Sequence, residues 1–253
     1  MESSLAYDLC KWVEDNQALA TIAAGATLVL ISEIVSRLWR KLRQRMLPRG
    51  AAFELVVFND QGEDCSAKHY RYLCDKVPKE KQDCGNPFCS ELNQQKIVNR
   101  IDAAMYSVDL AIFSFHSMVM TKALLQAFSR NVCVRIITNQ ESSATYAFEK
   151  LRNYGVQVRA PRNPLRSKAL MHHKFFVVDA KSRVLDIQKS RGLRHYRPFV
   201  TTFATGSINW STQGFGGNWE NCLISYDAGN AEIYQKEFNR LWELSSDIGP
   251  RRH

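Results

Sequence analysis

The sequence predicts an α/β protein whose mixed or mostly parallel β-sheet carries helices on both faces. Short apolar runs, typical of buried strands, alternate along the chain with stretches whose apolar residues recur at helical spacing. The chain has 253 residues, of which 45% are hydrophobic and 11% aromatic, enough to build one sizeable core. We therefore expect one folded domain, with an appendage at the N-terminus.

The N-terminal appendage is predicted to be a membrane anchor. Residues 18–31 carry no charge, and the apolar pattern continues to Trp39, which is near the ~17–25 residues that a membrane span requires. A short acidic tail (1–17) precedes the predicted anchor (18–39), and a basic linker (40–52) follows it. This asymmetry favours a cytosolic position for the rest of the chain. An amphipathic soluble helix is the alternative.

The predicted elements follow in order along residues 53–244, and 245–253 are expected to be a C-terminal tail. Period-two and continuous apolar patterns predict strands at 53–59, 108–115, 132–139, 156–160, 170–179, 203–210 and 221–227. Helical spacing predicts helices at 93–107, 118–129, 142–154 and 230–244, the third closed by Gly155. Residues 60–90 are polar and rich in cysteine, and are predicted to form an insert.

The residues able to do chemistry follow two of these strands. His172 and Lys174 are two residues apart and so share one face of a strand, and Ser207 and Asn209 in "GSINW" repeat that spacing. Glu220 follows in "NWEN". A nucleophile among hydrogen-bond donors at adjacent strand ends forms a pocket for which a phosphate oxyanion is the natural occupant. The alternative is a chance basic strand with a satisfied histidine.

The two motifs together, His-x-Lys-x4-Asp and then Gly-Ser-x-Asn, resemble those of the phospholipase D superfamily. The matching residues are His172, Lys174, Asp179, Gly206, Ser207 and Asn209, with Glu220 where the family has the acid that orients its histidine. The resemblance implies a phospholipase D-like fold and a phosphodiesterase activity.

The resemblance also implies a role for each catalytic residue. His172 would attack phosphorus as an unprotonated imidazole and form a covalent phosphohistidine, while a second histidine protonates the leaving oxygen. Lys174 and Asn209, with Ser207 behind them, would bind the non-bridging oxygens of the substrate. Glu220 would fix the imidazole tautomer from the other ring nitrogen.

Asp179 completes the catalytic motif, but its parity along the strand directs it away from the phosphate, so we expect a structural role for it. The chemistry needs two facing histidines, and the chain has one motif. The expected assembly is therefore a homodimer with a shared active site on its two-fold axis. No catalytic metal is expected.

Three features together narrow the resemblance to the mitochondrial phospholipase D, or Zucchini, family: the anchor, the cysteine-rich insert and the single motif. That family's insert binds zinc, which implies a structural zinc here. The candidate ligands are Cys65, Cys74, Cys84 and Cys89, with His69 as an alternative ligand. Their spacing is irregular for a zinc finger, and free surface thiols are the alternative.

The resemblance to the Zucchini family also predicts an unusual insertion. That family has only a short turn between the motif aspartate and Gly-Ser, whereas residues 180–205 intervene here. Residues 186–203 are therefore interpreted as a basic insertion. It would be either a flap over the substrate groove or a disturbance of a simple hairpin.

The function expected from this family is cleavage of single-stranded RNA in the biogenesis of PIWI-interacting RNAs, at the cytosolic surface of the outer mitochondrial membrane. The net charge of +9 fits a polyanionic partner, although a solvated basic face would give the same value. Hydrolysis of cardiolipin to phosphatidic acid is the rival activity, because the anchor brings the site close to phospholipids. A non-catalytic membrane scaffold is the third hypothesis.

Overall fold

The computed structural model describes residues 11–46, 53–78, 81–161, 170–193 and 197–248, within two compact units, Met1–Ala51 and Ala52–His253. In the first unit, helix α1 spans Gln17–Met46 and contains the predicted anchor. Its segment Gln17–Val35, 19 residues, is long and apolar enough to cross a membrane, and none of it is buried. Parts of the predicted N-terminal tail, basic linker, insert, basic insertion and C-terminal tail lie outside the described residues.

The second unit contains a mixed sheet with its helices. The strands are β1 Phe53–Phe58, β2 Ser107–Ile112, β3 Cys133–Thr138, β4 Gln157–Pro161, β5 Lys174–Val178, β6 Thr202–Gly206, β7 Glu220–Ser225 and β8 Ser245–Asp247. The helices are α2 Ser66–Cys74, α3 Ser90–Asp102, α4 Met118–Ser129, α5 Tyr146–Asn153, α6 Lys181–Ser190, α7 Thr212–Gly216 and α8 Ala228–Leu244. Short 3-10 helices occupy Asp60–Glu63 and Gln140–Ser142.

The eight strands form one sheet in the order β1-β7-β6-β5-β2-β3-β4-β8. The pairs β2–β3 and β3–β4 are parallel, whereas the other five pairs are antiparallel. The predicted mixed sheet is confirmed. All six residues of β2 are buried, and the charged one, Asp109, is paired with Arg135 at 2.6 Å.

Helices cover both faces of the sheet. One face packs against α3, α4, α5 and α7 through an apolar core that includes Ile97, Ile101, Met120, Leu124, Phe148, Leu151 and Phe215. On the other face, Phe175 and Val177 of β5 pack with Phe238 and Leu241 of α8. The prediction of helices on both faces is therefore confirmed.

Local sequence signals explain where several helices begin and end. Ser117, Thr145 and Asp227 precede α4, α5 and α8, and each side chain accepts a hydrogen bond from a backbone N–H in the first turn. Gly155 follows α5 with φ +92, a left-handed conformation that glycine adopts without steric cost. This is where the sequence predicts the helix to end.

Three predicted boundaries are wrong, and the first two matter for the site. Strand β5 starts at Lys174, four residues later than predicted, so His172 lies in the irregular segment before it. Strand β6 ends at Gly206, so Ser207 lies in the turn that follows. Residues 245–247 are not tail, because they form β8 and pair with β4.

The interpretation of 186–203 as a flap over the groove is also wrong. Helix α6 covers residues 181–190, and its Val184 and Ile187 are buried with Tyr106, against which Phe199 packs. Strands β5 and β6 are antiparallel neighbours, so the connection between them lies at the opposite end of the sheet from Lys174 and Gly206. Apolar burial therefore makes the described residues of this segment part of the domain, at the end of the sheet opposite Lys174.

Candidate active site

The predicted catalytic residues other than Asp179 lie at one end of the sheet. The pairing brings the end of β2 beside the start of β5, with Ile112 opposite Lys174. The end of β6 lies beside β7, which starts at Glu220. His172, Ser207 and Asn209 lie in the loops at this end of the sheet. Catalytic and binding residues are often found on loops that a rigid sheet positions.

His172 and Lys174 form the basic half of the site. The Lys174 Nζ atom is 3.2 Å from His172 Nδ1 and 3.1 Å from the His172 carbonyl oxygen, to which it donates. The imidazole packs against the Phe113 ring with the centroids 4.6 Å apart. Partial burial lowers the pKa of Lys174, while the negative charge of Glu220 opposes the shift. His172 and Lys174 thus lie together, although His172 precedes β5 and is not part of the strand.

Ser207 and Glu220 form the acidic half of the site. The Ser207 hydroxyl donates to Glu220 Oε2, and the Asn218 side-chain amide donates to Glu220 Oε1 at 3.0 Å. The Asn221 N–H donates to Ser207 Oγ at 3.1 Å. In the described part of the chain, the carboxylate bonds to these groups and makes no hydrogen bond to His172. The predicted contact of Glu220 with the imidazole is therefore wrong within one chain, because nearer donors hold the carboxylate.

Asn209 is held by the backbone around it. Its Oδ1 accepts from the Ser114 N–H at 3.2 Å, so its side-chain NH₂ is the group that can donate to an anion. Two glycines permit this packing. A Cβ at Gly214 would lie 2.1 Å from the Asn209 carbonyl oxygen, and a Cβ at Gly206 would lie 2.1 Å from the Asn221 carbonyl oxygen. The motif glycine is thus required by close approach of two backbones.

Asp179, counted among the catalytic residues in the motif, lies at the far end of β5 and does not join the site. Its carboxylate is fully buried and accepts from the N–H groups of Met105 at 2.7 Å, Tyr106 at 2.8 Å and Ser107 at 2.7 Å. Its φ is +51, a conformation that aspartate tolerates better than most residues. Asp179 therefore links the end of β5 to the start of β2 through these three hydrogen bonds.

We predict that Asp179→Asn lowers the free energy of unfolding by about 2–4 kcal/mol. Oδ1 accepts from two N–H groups and Oδ2 from the third, so an amide would turn its NH₂ toward a backbone donor. Chemical denaturation followed by circular dichroism measures the change. Asp186→Asn, at an exposed position on α6, is the control. Equal stability of the two variants would contradict the structural role.

Four residues of the insert form a cluster able to bind a metal ion. The ligand atoms of Cys65, His69, Cys84 and Cys89 all lie within 4.8 Å of one another, and His69 Nε2 is 3.0 Å from Cys89 Sγ. His69 Nδ1 faces Glu91 Oε2 at 3.3 Å, which suits an outer-shell carboxylate. Three sulfurs and one imidazole are a typical tetrahedral zinc set.

The predicted ligand set is corrected at one position, because Cys74 is exposed and His69 takes its place. The thiols of the cluster also differ in acidity. Burial opposes ionisation of Cys84, but hydrogen bonds from the Asn86 backbone and the neighbouring ligand side chains outweigh it and lower the Cys84 pKa to about 7. Burial raises the pKa of Cys89 to about 12. A bound cation would stabilise the thiolate form of every cysteine in the cluster, including Cys89, whose burial opposes ionisation.

Several residues of the site could not be identified from the motifs. Phe113 and Ser114 follow β2, and their roles depend on the pairing of β2 with β5, which a local pattern cannot indicate. Asn218 precedes Glu220 by two residues, and this spacing is the only feature of the sequence that indicates their contact. His116 borders the site, where its Nδ1 is 3.3 Å from Ser114 Oγ.

Comparison with known proteins gives consistent matches. The family described as "Cardiolipin synthase, PLD-like domain" matches residues 97–242. A Drosophila melanogaster protein named "Mitochondrial cardiolipin hydrolase" is 36% identical over 237 residues, covering 92% of this chain and 92% of the relative. A Homo sapiens protein of the same name is 33% identical over 162 residues, covering 63% of this chain and 54% of the relative.

A solved structure shows the same fold. "NucT from Helicobacter pylori" superposes with a TM-score of 0.53 and 19% sequence identity, over 78% of this chain and 98% of that chain. Together, the match over more than half of the chain and the relative aligned along nearly its whole length show that this hydrolase of phosphodiesters belongs to the phospholipase D superfamily and, within it, to the mitochondrial cardiolipin hydrolase (Zucchini) family.

Proposed function

We propose that the protein is a membrane-anchored endoribonuclease that cleaves single-stranded RNA in the biogenesis of PIWI-interacting RNAs. The observation that carries the proposal is the polar, open rim of the site. His172, Ser207 and Asn218 are exposed, and the neighbouring Lys174 and Glu220 are half-buried. A polyanionic strand can pass over such a rim, and the net charge of +9 would attract it.

The reaction would proceed in two steps. In the first, a ring nitrogen of His172 attacks phosphorus, the P–N bond forms, and the bond to the leaving oxygen breaks as a second histidine protonates it. In the second, that histidine takes a proton from water, the water oxygen attacks phosphorus, and the P–N bond breaks. Lys174 and the Asn209 amide would neutralise and bind the non-bridging oxygens, while Ser207 and Glu220 position them.

The second histidine would come from another copy of the chain. The family motif occurs once in the sequence, so a shared site needs His172 from each of two protomers on a two-fold axis. Glu220 is bonded within its own chain to Ser207 and Asn218. We therefore propose that it contributes negative charge beside Lys174, with a homodimer completing the site.

Zinc would have a structural role, and the membrane helix would determine where in the cell the protein is located. Zinc bound by Cys65, His69, Cys84 and Cys89 would fix the loops of the insert and take no part in the chemical steps. Helix α1 would cross the outer mitochondrial membrane once, with the catalytic unit on the cytosolic side. The basic residues that follow the apolar segment support this orientation.

Cardiolipin is the second candidate substrate. It is favoured by the name of the relatives, "Mitochondrial cardiolipin hydrolase", and by a helix that could hold the site close to phospholipid headgroups. The same attack by His172 on a cardiolipin phosphodiester would release phosphatidic acid. An acyl chain would need an apolar groove beside the phosphate, whereas His172, Ser207 and Asn218, which are exposed at the site, are polar.

The two candidates are separated by assaying the full chain in detergent or nanodiscs with labelled single-stranded RNA and, separately, with cardiolipin vesicles. We expect cleavage of the RNA that weakens steeply as salt increases, because phosphate contacts release counterions. Duplex RNA of the same sequence is the matched control. Release of phosphatidic acid without RNA cleavage would overturn the nuclease proposal and establish the lipid hydrolase.

A further inference from the structure

Trp219 stands out beside the proposed catalytic residues because the fold does not use its side chain. It is 80% exposed, the highest value among the large apolar side chains that are exposed in the described part of the chain. Both of its chain neighbours are hydrogen-bonded: the Asn218 N–H donates to the Gln213 carbonyl oxygen at 2.7 Å, and the Asn218 side-chain amide donates to Glu220 Oε1 at 3.0 Å. A large aromatic ring is therefore presented to solvent from an ordered turn next to the site.

Trp219 lines a shallow cavity of about 380 Å³ that begins at Glu220. Its walls are the start of β7 and the turn after β1, and the lining residues are Val57, Phe58, Asn59, Asp60, Gln61, Trp219, Glu220 and Asn221. The size is within the lower range of small-molecule pockets. Amide and carboxylate side chains beside an indole offer hydrogen bonds and a stacking surface to a flat, polar-edged ring.

The wall opposite Trp219 is held by the insert. The Asn86 amide donates to the Gln61 carbonyl oxygen at 2.8 Å and contacts the sulfur of Cys65 at 3.6 Å. The Asn59 side chain accepts from the Gln61 N–H at 3.1 Å. A Cβ at Gly62 would lie 2.3 Å from Ser90 Oγ, so the turn packs closely on the start of α3. These contacts therefore hold the turn after β1 in place.

We infer that this cavity is a subsite for one nucleobase of the substrate strand, with Trp219 as the stacking surface and Asn59 and Gln61 opposite it. The inference rests on the proposed function and names the part of RNA that the site would hold beside the cleaved phosphate. Glu220 belongs to both the cavity and the site, so the base would come from a nucleotide adjoining that phosphate. Trp219 is a substrate-positioning residue that binds the base and takes no part in proton transfer.

The test compares full-length wild-type protein with Trp219→Ala, Trp219→Phe and Tyr154→Ala. Tyr154 is an exposed aromatic residue before β4, at the other end of the sheet. Each protein is assayed on single-stranded RNA and on a strand of the same length without bases. For RNA, we expect Trp219→Ala to raise KM about 5- to 100-fold with little change in kcat, Trp219→Phe to retain most of the affinity, and Tyr154→Ala to match wild type. On the base-free strand, Trp219→Ala should leave KM unchanged.

The outcomes separate the subsite from the function. If wild type cuts RNA and Trp219→Ala has the same KM as Tyr154→Ala, the base subsite is overturned while the nuclease stands. An equal rise of KM on both strands would also overturn it, because the effect would then concern the phosphates. If wild type cuts neither strand, the proposed function fails and the subsite fails with it.

Discussion

Replacing His172 with alanine is expected to reduce phosphodiester hydrolysis by about 10⁴-fold or more, because no P–N bond can form without the imidazole. The side chain is exposed and touches Phe113 and Lys174, so its loss should leave the fold intact. Initial rates on the preferred substrate measure the effect, and circular dichroism confirms folding. His173→Ala is the matched control. It removes an exposed neighbouring histidine whose Nε2 is 3.6 Å from Glu237.

The same variant tests whether two copies share one site. When wild-type and His172→Ala chains are mixed and allowed to exchange, a site that needs both histidines is active only in the wild-type pairs. Activity should then fall as the square of the wild-type fraction, to about a quarter in an equal mixture. A linear fall to about half would contradict the shared site. Retention of turnover by the pure His172→Ala protein would contradict the mechanism itself.

Replacing Cys89 with serine is expected to remove bound zinc and to lower the melting temperature substantially. Structural zinc in small peptides contributes roughly 10–16 kcal/mol of binding free energy, much of which acts as folding free energy. Cys89 is also the N-cap of α3, where its sulfur accepts from the Leu92 N–H. Serine caps helices well, so lost capping would not explain a lower stability. Metal analysis by mass spectrometry and thermal unfolding measure the two effects.

Cys74→Ser is the matched control for the metal, since Cys74 lies in the same insert and is exposed. It should keep zinc and the wild-type melting temperature. Zinc affinity should also fall as the pH drops, because protons compete with the metal for the thiolates, including that of Cys89, whose pKa is raised by burial. Loss of zinc from Cys74→Ser but not from Cys89→Ser would contradict the assigned ligands.

The choice between Cys74 and His69 shows what a sequence can and cannot settle. His69 follows Cys65 by four residues, and its N–H bonds to the Cys65 carbonyl oxygen at 3.1 Å, so both side chains share one helical face. Cys74 follows Cys65 by nine residues, about two and a half helical turns, which directs it to the other side. The ligand set was therefore predictable only after α2 was recognised within the polar insert.

Periodicity predicted seven of the eight strands, and the motifs identified residues that lie together at one end of the sheet. Strand β2 and the end of α5 were predictable because burial and Gly155 leave local signals. Helix α6 was missed because only Val184 and Ile187, three residues apart, mark its buried side among polar residues. The contact partners of Glu220 were also not predictable, since they depend on how the turn before β7 folds back on Ser207.

The two ends of β5 imply that one motif is under two kinds of selection. A substitution at exposed His172 should yield a normal amount of inactive protein. In the proposed homodimer, this protein would pair with wild-type subunits and inactivate the shared site. A substitution at buried Asp179 should instead yield a chain that cellular proteases remove, so its carriers would resemble a simple deletion. A genetic screen would score both substitutions as loss of function. Measuring the amount of the protein, and testing whether the variant is dominant over wild type, would distinguish the two.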